Sequence, residues 1–111
     1  MTTKSKKRSK RTTARHQLER LAGGSLTLAM LMAAIREGEV WSLAEMAAKL
    51  RVTRAHVAAI ESGKPVSANA AARYARLLGY DVEQFVRLAL QDQLRRTGLR
   101  YRVAITAEAR S

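Results

Sequence analysis

The sequence predicts an all-α fold of five short helices. The chain of 111 residues is 47% hydrophobic but only 5% aromatic, and alanine and leucine dominate its apolar residues. These apolar residues recur at helical spacing, and glycine, proline and capping residues divide them into five segments. The length allows one small domain. We expect a basic, disordered arm at residues 1–24, the helical domain at 25–98, and a β-strand and tail at 99–111.

The positive charge of the chain is concentrated in the arm. The chain has 21 Lys and Arg against 9 Asp and Glu, a formal net charge of +12, and residues 1–20 carry +7 of it. Such a surplus indicates a polyanionic partner, with nucleic acid the leading candidate. No apolar periodicity precedes Leu18, which predicts disorder. The alternative is an arm that only increases solubility. The arm residues expected to contact phosphates are Lys6, Lys7, Arg8, Lys10 and Arg11.

Several function classes find no support in the sequence. No apolar run reaches the roughly 18 residues of a membrane span, and no apolar segment of a secretory signal follows the first basic residues. We therefore expect a cytoplasmic protein with no membrane contact. The chain has no cysteine, and His16 and His56 lack the spacing of a metal site. Because no catalytic motif is recognisable either, we expect no enzymatic activity, no cofactor and no metal.

Capping residues and apolar stripes predict the first two helices. In LTLAMLMAAIREG, Ser25 or Thr27 is the expected cap and Gly38 the expected stop. In SLAEMAAKL, Ser42 and Glu45 have the spacing of a capping box. The residues of these two helices expected in the core are Leu28, Leu31, Met32, Ile35, Leu43, Met46, Ala47 and Leu50.

The third helix is predicted to be short. In TRAHVAAIESG, Thr53 is the expected cap, and Val57 and Ile60 are the expected core residues. Gly63 is the expected stop, and Pro65 cannot continue a helix.

Two more helices follow directly. The fourth is predicted from a cap at Ser67 to Gly79. The fifth is predicted from a cap at Asp81, with Gln84 in the capping-box position, to Gly98.

Helices two and three are separated only by Arg51 and Val52, which requires the sharp crossing of a helix-turn-helix. The segment SLAEMAAKLRVTRAHVAAIESGKPVS resembles the helix-turn-helix of the XRE family of phage repressors and Cro-like proteins. It shares the Ser-x-x-Glu cap, Ala47 at the helix crossing, the cap at Thr53 and the closing Ile-Glu-x-Gly. Arg51 departs from the pattern, because the family commonly has glycine or another small residue there. We expect either a left-handed Arg51 or a slightly different turn.

The resemblance implies a repressor-like domain whose third helix enters the major groove of double-stranded DNA. Arg54 would then be placed to bond guanine O6 and N7, and a purely solvated face is the alternative for Arg54 and His56. The residues expected to face bases are Arg54, Ala55, His56 and Ala59. The residues of this domain expected to contact phosphates are Thr53, Lys49, Arg51 and Lys64.

The C-terminal segment LRYRVAI alternates apolar and polar residues, a pattern typical of a half-buried strand. No second strand is predicted in the chain, so we expect this strand to pair with its copy in a homodimer. The alternative is a tail that lies against helix five without pairing. The residues expected at the dimer contact are Leu99, Tyr101, Val103 and Ile105.

The resemblance implies two candidate functions. The first is a sequence-specific transcriptional regulator, a repressor that binds a palindromic operator as a dimer. The second is an antitoxin that binds its own operator and neutralises a toxin protein. The basic arm favours the regulator, because it would be repelled by a ribonuclease toxin with a basic RNA-binding surface.

Overall fold

A computed structural model describes residues 26–108, which form five helices joined by short links. The all-α prediction is confirmed for this range. The predicted disordered arm at residues 1–24 lies outside the described residues, as do residues 25 and 109–111. None of the helices in the described range has the length and apolar character needed to cross a membrane. The helices are α1 (Leu28–Gly38), α2 (Leu43–Leu50), α3 (Arg54–Glu61), α4 (Ala68–Leu78) and α5 (Val82–Arg96).

The chain divides after Lys64 into two compact units, and the first contains α1, α2 and α3. All three helices supply buried side chains, as the apolar stripes predict. Leu43 is the exception, because it is only half-buried. It is the first residue of α2, and helical side chains lean towards the N-terminus, so Leu43 extends past the covered part of the helix. The side chains with 2% exposure or less are Leu28, Leu31, Met32, Met46, Leu50, Val57 and Ile60.

The second unit contains α4, α5 and the C-terminal segment. Small residues at Ala71, Ala75 and Ala89 are buried, which allows close approach of the backbones. The rings of Tyr80 and Phe85 lie 6.5 Å apart, a distance typical of packed aromatic pairs. Buried beside these residues are Tyr74, Leu78 and Leu88.

Side chains cap the starts of the helices, largely as predicted. Thr27 caps α1, with its hydroxyl accepting from the Met30 amide at 3.1 Å. Ser42 and Glu45 form the predicted capping box at α2, with distances of 3.0 and 2.8 Å. Asp81 caps α5 by accepting from the Glu83 amide at 3.1 Å. Each contact pairs an amide that the helix itself leaves without an acceptor.

The prediction that α1 stops at Gly38 is confirmed, although Gly38 is not the residue that reverses the chain. Gly38 is the last residue of the helix, and the left-handed residue that reverses the chain is Val40, with φ of 60°. The Trp41 amide donates to the Arg36 carbonyl at 2.9 Å, and this bond fixes the reversal two residues after Gly38.

The C-terminal segment forms no strand in this chain, so the strand prediction requires correction. Residues 99–108 have no regular secondary structure. The buried side-chain amide of Gln91 instead donates to the Tyr101 carbonyl and accepts from the Val103 amide, each at 2.7 Å. A strand needs a second strand to pair with, and residues 26–108 contain none. The side chain of Gln91 thus supplies two hydrogen bonds between α5 and the segment, in addition to the bond from the Leu99 amide to the Leu94 carbonyl.

Candidate nucleic-acid interface

The turn between α2 and α3 is built around a left-handed arginine. Arg51 has φ of 61° and ψ of 44°. Its amide donates to the Ala48 carbonyl at 3.3 Å, and the Val52 amide donates to the Ala47 carbonyl at 3.0 Å. These two bonds form a Schellman motif, which normally uses glycine at the left-handed position. Of the two conformations predicted for Arg51, the left-handed one is therefore observed, at a cost of about 1 kcal/mol or more.

The start of α3 offers hydrogen-bond donors. Thr53 has extended dihedral angles, and its hydroxyl accepts from the His56 amide at 3.0 Å. The amides of Arg54 and Ala55 meet no acceptor among residues 26–108. Free amides at a helix N-terminus, combined with the helix dipole, are suited to a phosphate group.

The predicted base-facing residues lie outside the core stripe of α3. Val57 and Ile60 are buried on that stripe, with exposures of 0% and 1%. Arg54 and Ala55 are exposed, whereas His56 and Ala59 are half-buried. The short turn before the helix thus leaves its first residues accessible, and base contact by these four residues stays a prediction.

His56 and Lys64 lie side by side, although they are eight residues apart. The ammonium of Lys64 lies 3.5 Å from Nδ1 of His56. The chain reverses at Gly63, with φ of 108°, and the Lys64 amide donates to the Ala59 carbonyl at 2.9 Å. An ammonium can only donate, so this contact requires Nδ1 to be the acceptor. In the neutral ring Nε2 then carries the proton, and His56 can donate to a base or a phosphate.

Lys49 is held at the surface by an aromatic ring. Its ammonium lies 4.6 Å from the centre of the Trp41 ring, which is a cation–π contact. Trp41 precedes the Ser42 cap of α2 and is half-buried, whereas Lys49 is exposed. The contact restricts the lysine side chain while its ammonium can still bind a phosphate.

An ion pair connects the end of α1 with the end of α3. Arg36 donates from Nε and Nη2 to the two carboxylate oxygens of Glu61 at 2.8 and 3.1 Å, and from Nη1 to the Trp41 carbonyl at 3.2 Å. The hydrogen bond to Glu61 raises the pKa of Arg36, whose guanidinium is in any case always charged in proteins. Bidentate pairing has strict geometry, so it fixes how α3 lies against α1. The sequence patterns do not identify Arg36, because its partner lies 25 residues away.

Three of the expected phosphate contacts, together with Arg54, which is expected to face a base, form a cationic surface without ion pairs among the described residues. Unpaired cations around free helix amides create a positive potential that attracts polyanions. The four residues, all exposed, are Lys49, Arg51, Arg54 and Lys64.

A family model described as helix-turn-helix matches residues 32–85. No curated protein and no solved structure matches the chain. The matched range contains most of α1, all of α2, α3 and α4, and the start of α5. It therefore includes the left-handed turn and the free amides of α3. Residues 32–85 therefore form a helix-turn-helix domain of the XRE family, and this domain makes the protein a DNA-binding transcription regulator.

Proposed function

We propose that the protein is a repressor that binds a palindromic operator as a homodimer and excludes RNA polymerase from the promoter. It acts in the cytoplasm as a binding protein, with no catalytic step and no cofactor. The observation that carries the proposal is the start of α3. Arg54 and Ala55 are exposed there, and their own backbone amides meet no acceptor among residues 26–108. A helix start of this kind enters the major groove in helix-turn-helix proteins.

The roles of the base-facing residues follow from their chemistry. Arg54 would read guanine, because its guanidinium can bond O6 and N7 together. His56 would donate from Nε2 to a base acceptor or a phosphate, since Lys64 lies against its Nδ1. Ala55 and Ala59 have only methyl groups, which suit contact with the methyl group of thymine.

The remaining contacts would position the helix and not read sequence. Phosphate oxygens accept from exposed cations and helix amides, and such contacts fix the register of a protein on the duplex. The residues proposed for this role are Thr53, Lys49, Arg51, Lys64 and the arm residues Lys6, Lys7, Arg8, Lys10 and Arg11.

The homodimer would place two copies of α3 on half-sites about 34 Å apart, one helical turn of DNA. The C-terminal segment is the proposed contact between the copies. Leu99 and Tyr101 are 49% and 68% exposed, so this segment presents two large apolar side chains that a second copy could cover. Val103 and Ile105 are half-buried and complete the alternating apolar set.

Two single substitutions separate base reading from general charge. Arg54→Ala and Lys64→Ala each remove one exposed cation at α3. Arg54→Ala should cost about 1–3 kcal/mol of binding free energy per half-site and relax the preference at one symmetric position. Lys64→Ala should weaken all sequences about equally. The measurement is a binding selection on a randomised operator with wild type and both variants.

The selection can also contradict the proposal. If Arg54→Ala retains the wild-type preference at every position, Arg54 does not read a base, and α3 is not the reading helix. If the wild-type protein selects no sequence at all, it is a nonspecific DNA-binding protein, and the repressor proposal fails.

The antitoxin function makes a different prediction about a partner. An antitoxin would bind a protein encoded by a co-transcribed neighbouring gene and relieve its toxicity on co-expression. Such relief would replace the repressor proposal with the antitoxin. The operator contacts of α3 would be the same in both functions.

A further inference from the structure

The side chain of Gln91 occupies one backbone edge of the C-terminal segment. It donates to the Tyr101 carbonyl and accepts from the Val103 amide. One residue of a neighbouring parallel strand would make the same two bonds, to the residues before and after its opposite position. Gln91 therefore substitutes for a strand on the edge formed by the odd-numbered residues.

The opposite edge carries unpaired hydrogen-bond groups. Backbone groups of successive residues in a strand point to alternate sides, so the even-numbered residues form the second edge. Within the described chain, the backbone groups of Arg100, Arg102, Ala104 and Thr106 make no hydrogen bond. An open edge next to exposed apolar side chains is a template for pairing with another chain.

We propose that this edge pairs antiparallel with the same edge of a second copy, with the two-fold axis passing through Val103. The two copies of Val103 then face each other, and Tyr101 lies opposite Ile105. Aromatic and β-branched residues form favourable cross-strand pairs. Leu99 lies opposite Ala107, so every pair on this face is apolar. This proposal rests on the homodimer of the proposed function and specifies its contact.

Charge on the other face is compatible with the same register. Arg102 lies opposite Ala104, and Arg100 lies opposite Thr106, so no two cations oppose each other. Like charges directly opposite each other destabilise a strand pair. The register thus forms without a like-charge contact, although the segment carries two arginines.

The open edge limits the possible registers. Because both copies present even-numbered residues at the edge, each even-numbered residue must lie opposite an even-numbered residue of the second copy. The two-fold axis then passes through a residue and not between two residues. An axis at Arg102 would oppose the two Arg102 side chains. An axis at Ala104 would place Tyr101 opposite Ala107 instead of Ile105, so the favourable pair of an aromatic and a β-branched residue would be lost. Val103 is the position that satisfies both faces.

Gln91 acts here as a positioning residue. By occupying the odd edge, it leaves a single edge to the second copy and so limits slippage between registers. Gln91→Glu keeps the acceptor for the Val103 amide but replaces the donor to the Tyr101 carbonyl with a carboxylate oxygen. This variant should therefore allow more slippage between registers while leaving the size of the side chain unchanged.

The test uses single cysteines, because the chain has none of its own. Directly opposite residues of a non-hydrogen-bonded antiparallel pair have Cα atoms about 4.5 Å apart, which a disulfide can span. Val103→Cys in the full chain should therefore oxidise to a dimer of twice 12.3 kDa. Arg102→Cys and Ala104→Cys are the matched controls. In the proposed register each is about 7 Å or more from its own copy, so both should remain largely monomeric after oxidation.

A second measurement tests the same register without Val103→Cys, in case that variant does not fold. Mixing Tyr101→Cys with Ile105→Cys should give a crosslinked heterodimer, whereas each alone should give little. Adding Gln91→Glu should reduce crosslinking through Val103→Cys and increase it through Ala104→Cys. Equal yields with and without Gln91→Glu would show that Gln91 does not set the register.

Three outcomes overturn the proposal: Ala104→Cys or Arg102→Cys crosslinks best, all positions crosslink alike, or neither Val103→Cys nor the mixed pair crosslinks. None of these measurements needs DNA, so they are independent of the operator selection. Crosslinking at Val103 without sequence selection would contradict only the repressor. Sequence selection without crosslinking would contradict only this contact.

Discussion

The five helices end with the same hydrogen bonds but with different residues. Helices α3, α4 and α5 end at Gly63, Gly79 and Gly98, each with positive φ. In the first unit, α1 and α2 end at Val40 and Arg51, with φ of 60° and 61°. In every case the residue after the left-handed one donates to a carbonyl five positions back. The two ends on either side of α2 therefore adopt the glycine conformation without glycine.

The difference shows where tertiary contacts override local preference. A valine in the left-handed region is strained, because its branched side chain crowds the backbone. At Val40 this strain is balanced by Arg36, whose carbonyl accepts from the Trp41 amide and whose side chain donates to the Trp41 carbonyl. Arg36 is in turn fixed by Glu61. The α1 end is thus held by the same ion pair that orients α3.

Removing this ion pair should cause the largest change in the free energy of unfolding among the substitutions that test this comparison. Arg36→Ala deletes three donated hydrogen bonds and leaves the Glu61 carboxylate, only 13% exposed, without its partner. The free energy of unfolding should fall by on the order of 2–3 kcal/mol, below the range for a fully buried pair because both side chains retain some water contact. Chemical denaturation of both proteins measures the difference.

The matched control is the ion pair of Arg95 with Asp92 on α5. It has a similar distance, 3.0 Å, but greater exposure, with 36% for Arg95. Arg95→Ala should change the free energy of unfolding by about 0.5 kcal/mol or less, as is typical for a surface pair. Equal losses for Arg36→Ala and Arg95→Ala would show that Arg36 does not stabilise the α1 end.

The contrast also explains what the sequence could predict. Gly63, Gly79 and Gly98 are recognisable as helix stops because the residue itself favours the left-handed conformation. Val40 could not be recognised as a left-handed residue, since valine disfavours that conformation. The contact that holds it there comes from Arg36, which is itself fixed by the distant Glu61. The predicted positions of Arg54 and His56 at the start of α3 follow from the Thr53 cap, which is local. Arg36 and Gln91 were missed because their partners are distant in sequence or lie on the backbone.

Replacing the strained valine should stabilise the protein. Val40→Gly removes left-handed strain of about 1–2 kcal/mol but increases the entropy of the unfolded chain by about 0.4–1 kcal/mol. The side chain is 74% exposed, so little buried contact is lost. We expect a net gain of up to about 1 kcal/mol in the free energy of unfolding, measured by denaturation.

The reciprocal control is Gly79→Ala at the end of α4. A Cβ atom there would meet no atom within 4 Å, so the substitution tests backbone conformation alone. It should destabilise the protein by about 1 kcal/mol. If Val40→Gly destabilises the protein as well, Val40 is not strained in the way its φ implies, and the comparison between the two kinds of helix end breaks down.

The smallest expected change in stability, at Arg51, links the comparison to function. Arg51→Gly should raise the free energy of unfolding by about 0.5 kcal/mol, less than Val40→Gly because arginine is not β-branched. If Arg51 contacts a phosphate, the same substitution should also weaken operator binding and reduce the slope of log affinity against log salt by about 0.9 per contact. Arg51→Lys is the control, because it keeps the charge and the strain of a left-handed backbone at a residue other than glycine. Binding titrations across a salt series, together with denaturation, separate the two effects. A stability gain with an unchanged salt slope would mean that the arginine is not retained for DNA, and the strain at this turn would then have no counterpart in binding.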